Sequence, residues 1–178
     1  MPRYAALLRA INVGGNRKVP MARLRELLEE VGFTDVATYV NSGNVVLSSP
    51  DPAAKVASRI ATLLAAEFGF EVPTIVRTKA QLAKVVAADP IDGGTGSPRH
   101  YQVTFLDGKV PASAWEDVDP AAWGDSTYVA TPTELFTFTP GGIHADKMLR
   151  ALGTAHKDTP GTARNWSTVL KLVEMLDG

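Results

Sequence analysis

The order of apolar runs along this chain predicts an α/β (α+β) protein made of two ferredoxin-like β-α-β-β-type halves, with helices packed on largely antiparallel mixed sheets. Three observations carry that expectation. Residues 1–90 alternate short β-rich runs with amphipathic stripes in the order β-α-β-β-α-β, followed by one further helix. Residues 90–100 then lose all periodicity around Gly93, Gly94, Gly96, Ser97 and Pro98, and the order β-α-β-β begins again at Tyr101. We therefore place an N-terminal half at 1–90, a C-terminal half plus a final helix at 101–178, and a linker or mobile loop at 91–100.

Residues 4–11 read as a central strand. Tyr4, Ala6, Leu8 and Ala10 alternate with Ala5, Leu7 and Ile11, so both faces are apolar and both need cover, from the second half or its last helix. Pro20 suits the first turn of a helix whose stripe is Met21, Leu24, Leu27, Leu28 and Val31, closed by Gly32. Residues 37–41 and 44–48 form a hairpin through Ser42 and Gly43, with φ > 0 at the glycine. Asp51 can cap and Pro52 can start a second helix, lined by Val56, Ile60, Leu63, Leu64 and Phe68 and ended by Gly69. A strand at 72–77 leads to Thr78 and Gln81, a capping box for a helix carrying Leu82, Val85 and Val86. In the second half, 101–106 is a strand, 111–123 is partly helical, and 126–130 pairs with 135–139. A helix over 143–152 ends at Gly153. The stripe Trp166, Val169, Leu170, Val173 and Leu176 marks the last helix.

With 45% hydrophobic and 21% charged residues the chain has an ordinary globular composition. It has no cysteine, which excludes disulfides and thiolate metal sites and favours the cytoplasm. Arg9 interrupts the first apolar run before a signal sequence could form, and no run approaches the ~20 apolar residues of a membrane span. His100, His144 and His156 show no metal-ligand spacing, so neither metal nor cofactor is expected. A net charge of −1 denies the protein a broad basic field and argues against nucleic-acid binding. Trp115, Trp123, Tyr128 and Phe136 read as core anchors rather than base-stacking platforms.

Several polar motifs remain. The segment from Leu8 to Lys18 runs from a strand through Gly14 and Gly15 into a helix, and such loops aim backbone N–H groups at anions. It lacks the spacing of a phosphate-loop or dinucleotide fingerprint. Arg9 sits in an apolar row and is expected to be buried and paired. Asn41, Ser42, Gly43 and Asn44 are what a hairpin turn chooses, yet they also offer a hydroxyl and two amides. Arg164 and Asn165 precede the last helix, where a cation is disfavoured beside the positive helix end, so Arg164 answers to a carboxylate or a bound anion.

The run from Tyr4 to Gly15, Lys18-Val19-Pro20-Met21, the hairpin from Tyr39 to Val46, and Thr162-Ala163-Arg164-Asn165-Trp166 with Thr168 and Val169 together resemble the DUF1697 family of uncharacterised, mainly bacterial proteins. The resemblance runs nearly end to end. It implies a mixed α/β fold and brings no activity with it. Two positions depart from the family pattern: glycine is usual where Ala10 stands, suggesting a close backbone approach, and serine is frequent where Asp146 stands, next to Lys147.

These motifs point to a small anionic or phosphate-bearing ligand held in a cleft by Arg9, Asn12, Lys18, Ser42 and Asn44, with Lys147, Arg164 and Asn165 closing from the second half. The alternatives are a nucleic-acid or protein interaction module, or motifs that only fix how the halves dock. Whether the protein is an enzyme, and its oligomeric state, are open at this level.

Overall fold

In a computed structural model, which describes residues 1–94, 97–143 and 146–178, the chain is a mixed α/β protein with two four-stranded antiparallel sheets and helices packed on them. Of the linker expected at 91–100, Thr95 and Gly96 lie outside the described residues, as does His144. The elements are β1 (Arg3–Leu8), α1 (Met21–Glu30), β2 (Thr34–Tyr39), β3 (Asn44–Ser48), α2 (Ala53–Phe68), β4 (Thr74–Thr78) and α3 (Lys79–Ala88), then β5 (Tyr101–Leu106), β6 (Thr127–Ala130), β7 (Glu134–Phe138), α4 (Lys147–Ala155), β8 (Gly161–Asn165) and α5 (Trp166–Asp177). Two compact units result. One is Met1–Val85 with Lys171–Gly178, the other Val86–Leu170.

The first unit orders its strands β2-β3-β1-β4, all neighbours antiparallel. Tyr4, Ala6 and Leu8 on one face of β1 join Leu24 and Leu28 of α1 and Val56, Ile60 and Leu64 of α2 in a single buried cluster. Ala5 and Leu7, on the other face, are equally buried, as the doubly apolar strand requires. The end of α5 belongs to this unit: Arg3 donates from Nη1 to the Leu176 carbonyl at 3.1 Å, and Lys79 pairs with Asp177 at 2.8 Å.

Helix ends follow the sequence signals in some places and not in others: Gly153, expected to end a helix over 143–152, lies inside α4, which runs from Lys147 to Ala155. Gly69 closes α2 in the left-handed conformation, its N–H on the Ala65 carbonyl. Thr78 and Gln81 form the reciprocal capping box: the Thr78 N–H donates to Gln81 Oε1 at 2.8 Å, and the Gln81 N–H to Thr78 Oγ1 at 3.1 Å. Asp51 behaves differently from the expected cap. Pro52 occupies the N-cap of α2, and the Asp51 carboxylate instead takes Lys55 at 2.8 Å and Arg59 at 2.7 Å. Those two cations hold its pKa below the ordinary value.

The second unit repeats the topology as β6-β7-β5-β8. Tyr101 and Trp166 stack with ring centroids 4.7 Å apart, and Trp115, Tyr128, Met148 and Leu152 form a further buried cluster. The stretch 111–123, read as partly helical, makes two 3-10 turns, Ala112–Trp115 and Pro120–Trp123. The sequence expectation needs one correction here. Gly161–Asn165 is a strand paired with β5, not a lead-in to the last helix. Its inward positions are Thr162 and Arg164, so the period of two is written in polar residues and leaves no hydrophobic trace. Gly161 is required there by space: a Cβ would lie 2.7 Å from Thr104 Cγ2 and 2.9 Å from the Phe105 carbonyl oxygen. Among the described residues, no helix is long and apolar enough to cross a membrane.

Candidate functional site

β1 stops at Leu8, three residues before the apolar run ends, because the chain turns sharply at Ala10, with φ of 55°. Two backbone bonds fix the exit: the Leu8 N–H donates to the Gly43 carbonyl at 2.8 Å and the Arg9 N–H to the Pro73 carbonyl at 2.9 Å. Ala10, Asn12, Gly14, Gly15 and Arg17 all adopt left-handed backbone between β1 and α1, and Val40 does so in the facing hairpin at φ 50°. For non-glycine residues this conformation costs on the order of 1–3 kcal/mol each and persists only where neighbours enforce it. A β-branched residue such as Val40 is the least suited to it.

Asn12 does the enforcing. Its amide nitrogen donates to the Val19 carbonyl at 3.0 Å and the Asn41 carbonyl at 2.8 Å, while its side-chain oxygen accepts from the Val19 N–H at 2.8 Å. The hairpin is locked from its own side by the fully buried Asn44, which donates to the Tyr39 carbonyl and to Ser42 Oγ, both at 3.0 Å. Tyr39 pairs with Asn44, so the connection is four residues, 40–43, rather than the two expected from Ser42 and Gly43. Val40 leaves the strand early because its backbone turns left-handed. Gly43 is fixed by both torsion and space, at φ 84° with a Cβ position 2.7 Å from Leu8 Cβ and 2.9 Å from Ile11 Cδ1.

Asn12, Gly15, Lys18, Val19, Pro20 and Asn41 line a cavity of about 330 Å³ at the start of α1. Pro20 is the N-cap of that helix and supplies no side-chain cap, and its first turn carries no acid. The amides there face the positive end of the helix dipole. Lys18 is exposed and carries no ion pair among the described residues. Arg17 is held away by the Glu71 carbonyl and lies over the Phe70 ring at 5.1 Å. Arg9 corrects the expectation that it would be buried and paired. Because the strand ends one residue earlier, its side chain is exposed, with no ion pair among the described residues.

The other candidates lie in the second unit. Arg164 is 7% exposed in β8, with Nη1 donating to Thr162 Oγ1 at 2.7 Å and to the Ala163 carbonyl at 2.8 Å. Burial pushes its guanidinium down to about 10, which leaves it cationic at neutral pH. Asn165 is exposed and accepts from Gln102 Nε2 at 3.0 Å across the β5–β8 pair. Lys147 opens α4 on the surface.

Residues 1–136 match the sequence profile of a family described as "Protein of unknown function (DUF1697)". The chain belongs to the DUF1697 family. A solved structure described as that of the conserved bacterial protein SP0830 from Streptococcus pneumoniae superposes with a TM-score of 0.78 at 25% identity, covering 98% of each chain. No curated protein matches. The structure gives the two departures noted in the sequence a physical reading. At position 10, where the resemblance implies glycine, the backbone is left-handed and Ala10 is exposed, so the position asks for torsional freedom rather than for space. At position 146, Asp146 Oδ1 caps α4 by accepting from the Leu149 N–H at 3.1 Å, and serine is an equally good cap.

Sequence reasoning offered the side-chain amide of Asn41 but missed its carbonyl, which accepts from Asn12 beside the cavity, and it missed the exposure of Val13 and Val40. It also overlooked a charge asymmetry. The first 25 residues hold Arg3, Arg9, Arg17, Lys18, Arg23 and Arg25 and no acid, within a chain whose net charge is −1.

Proposed function

We propose that the protein binds a small anionic, phosphate-bearing ligand at the start of α1. The observation that supports this reading is the cavity itself, about 330 Å³, which combines a lysine with no ion pair among the described residues, two asparagines and a helix start without a side-chain cap. A volume at the lower end of the ligand-pocket range suits one small molecule. Lys18 supplies a mobile point charge, and the first amides of α1 supply fixed donors that need no reorganisation. Asn12 has its amide fully engaged with backbone, so its role in this reading is to hold the cavity open rather than to touch the ligand.

Titration with inorganic phosphate at low ionic strength, followed by NMR of the backbone amides, tests the reading. Chemical-shift changes centred on Gly15 and Met21 to Arg23 are expected. Replacing Lys18 with alanine should weaken the binding by roughly 10- to 100-fold, the usual worth of a charge-assisted hydrogen bond. Shifts scattered over the surface, or an unchanged affinity in Lys18→Ala, would defeat it.

A further inference from the structure

The two helices that cover the first sheet present different surfaces to water. α1 exposes Glu26, Glu29 and Glu30, the charged face expected of an amphipathic helix. α2 exposes Ala54, Ser58, Thr62 and Ala66, with half-buried Ala61 and Ala65 beside them, and the charge on that face is Lys55 alone. Its other charged residues are turned aside, Arg59 to Asp51 and Glu67 to Arg23. A depression lies on each flank of this face. One, of about 280 Å³, runs from Ala61 and Ala65 to Glu71 and Pro73; the other, of about 380 Å³, runs from Thr62 and Ala66 to Leu63 and the exposed Val31. The two ends of α2 differ in charge. At its start Asp51 alone answers both Lys55 and Arg59, which leaves an excess of positive charge. At its end Glu67 shares Arg23 with Glu26 and Glu30, and Glu71, whose carbonyl holds Arg17, has a carboxylate with no ion pair among the described residues. The helix dipole has the same sense, positive at the start and negative at the end, and no acid in the first turn or base in the last offsets it.

We propose that this face docks on a second copy of the chain, α2 against α2, antiparallel about a two-fold axis near Thr62. Charge complementarity selects that partner and that direction. Antiparallel pairing brings Lys55 to the partner's Glu71 and, by symmetry, Glu71 to the partner's Lys55, whereas a parallel pair would set like ends together. Ser58 then lies opposite the partner's Ala66, and side chains this small let the two helices approach closely. A contact one 16-residue helix long, about 24 Å, is small for a specific interface, so the association is weak and reversible. The face lies wholly within the first unit and shares no residue with the anion cavity, so it stands or falls separately from the function proposed above.

Sedimentation equilibrium of the full chain over about 5 to 500 μM tests this, with a monomer–dimer equilibrium expected inside that range. Thr62→Arg places two like charges at the axis and should weaken the dimer at least tenfold, while melting with the parent because position 62 is exposed. Lys55→Glu and Glu71→Lys should each sediment as monomers, since either change sets like charges opposite in both symmetric contacts. Mixed one to one, the two variants should regain the dimer, because the mixed pair restores both contacts. That rescue leaves position 62 untouched and decides the matter even if Thr62→Arg fails to fold. A parent that stays monomeric throughout, a folded Thr62→Arg that dimerises as the parent does, or a mixture that remains monomeric would each overturn the proposal.

Discussion

The two units solve the same folding problem with the same backbone bonds and then part company at one point. The central strand of each leaves the sheet through a matching pair of hydrogen bonds: Leu8 to Gly43 and Arg9 to Pro73 in the first, Leu106 to Thr133 and Asp107 to Pro160 in the second. Each fourth strand carries a buried arginine opposite the third residue of the central strand, Arg77 against Ala5 and Arg164 against Val103. Beyond the exit, the second unit goes through Gly108 to Pro111 and straight into a 3-10 turn. The first inserts a run of left-handed residues clamped by Asn12. Since the second unit closes its sheet without such a loop, the strain at residues 10–17 and at Val40 is not a requirement of the topology. It belongs to whatever the first unit does that the second does not.

That comparison can be broken most directly at the two crowded glycines. Gly43→Ala combines a left-handed φ with overlap against Leu8 and Ile11, and should lower stability in urea unfolding by about 3 kcal/mol. Its counterpart Gly161→Ala meets Thr104 and a backbone carbonyl at ordinary φ, for a loss of about 2 kcal/mol. Equal losses would mean that torsional strain contributes little to the first unit.

Asn12→Ala removes three hydrogen bonds at the loop that the second unit lacks. A loss of about 2 kcal/mol is expected, with amide exchange accelerating in residues 10–19 before the rest of the sheet. Global unfolding without such local opening would show the loop to be integral to the first core after all.

Caps sharpen the comparison at smaller scale. Thr78→Ala deletes half of a reciprocal box and should lose about 1 kcal/mol. Asp146→Ser exchanges one good cap for another and should stay within about 0.5 kcal/mol, provided that the Ser126 hydroxyl, now 3.0 Å from Asp146 Oδ2, finds water.

The smallest effect concerns pH. Asp51 has its folded pKa depressed by Lys55 and Arg59, so its pairing stabilises above the unfolded value of about 3.9 and is lost as the pH falls through the lower folded value. In acid titrations followed by circular dichroism, the parent should lose stability relative to Asp51→Asn below about pH 4. Parallel curves would show that these pairs contribute nothing.

Much of the fold was legible in the residues because it is written in apolar periodicity: the doubly apolar β1, the stripes of α1 and α2, and the strand at 101–106. Glycine and capping signals placed Gly69 and the Thr78–Gln81 box. What was hidden is written in other terms. β8 turns polar residues inward, so Thr162 and Arg164 look like loop. Arg9 looked buried because Ala10 and Ile11 prolong an apolar run that the backbone has already left. The engagement of Asn12 with Val19 and Asn41 depends on contacts 7 and 29 residues away, which no local pattern records. Val40 gave no warning, since a valine beside a turn is ordinarily a strand residue.

The bond from Arg3 to the Leu176 carbonyl, with Lys79 to Asp177 beside it, makes the first unit a structure sewn from both ends of the sequence. Ribosomes deliver residues in order, at about 5–20 per second. The strand that begins this unit must therefore wait for residues 171–178 before Arg3 meets its Leu176 acceptor, and the loop that this closes, 173 residues apart in sequence, is about as non-local as the chain permits. The second unit, continuous from 86 to 170, has no such wait. During synthesis the second unit therefore has all of its residues before the first unit receives its last segment, 171–178.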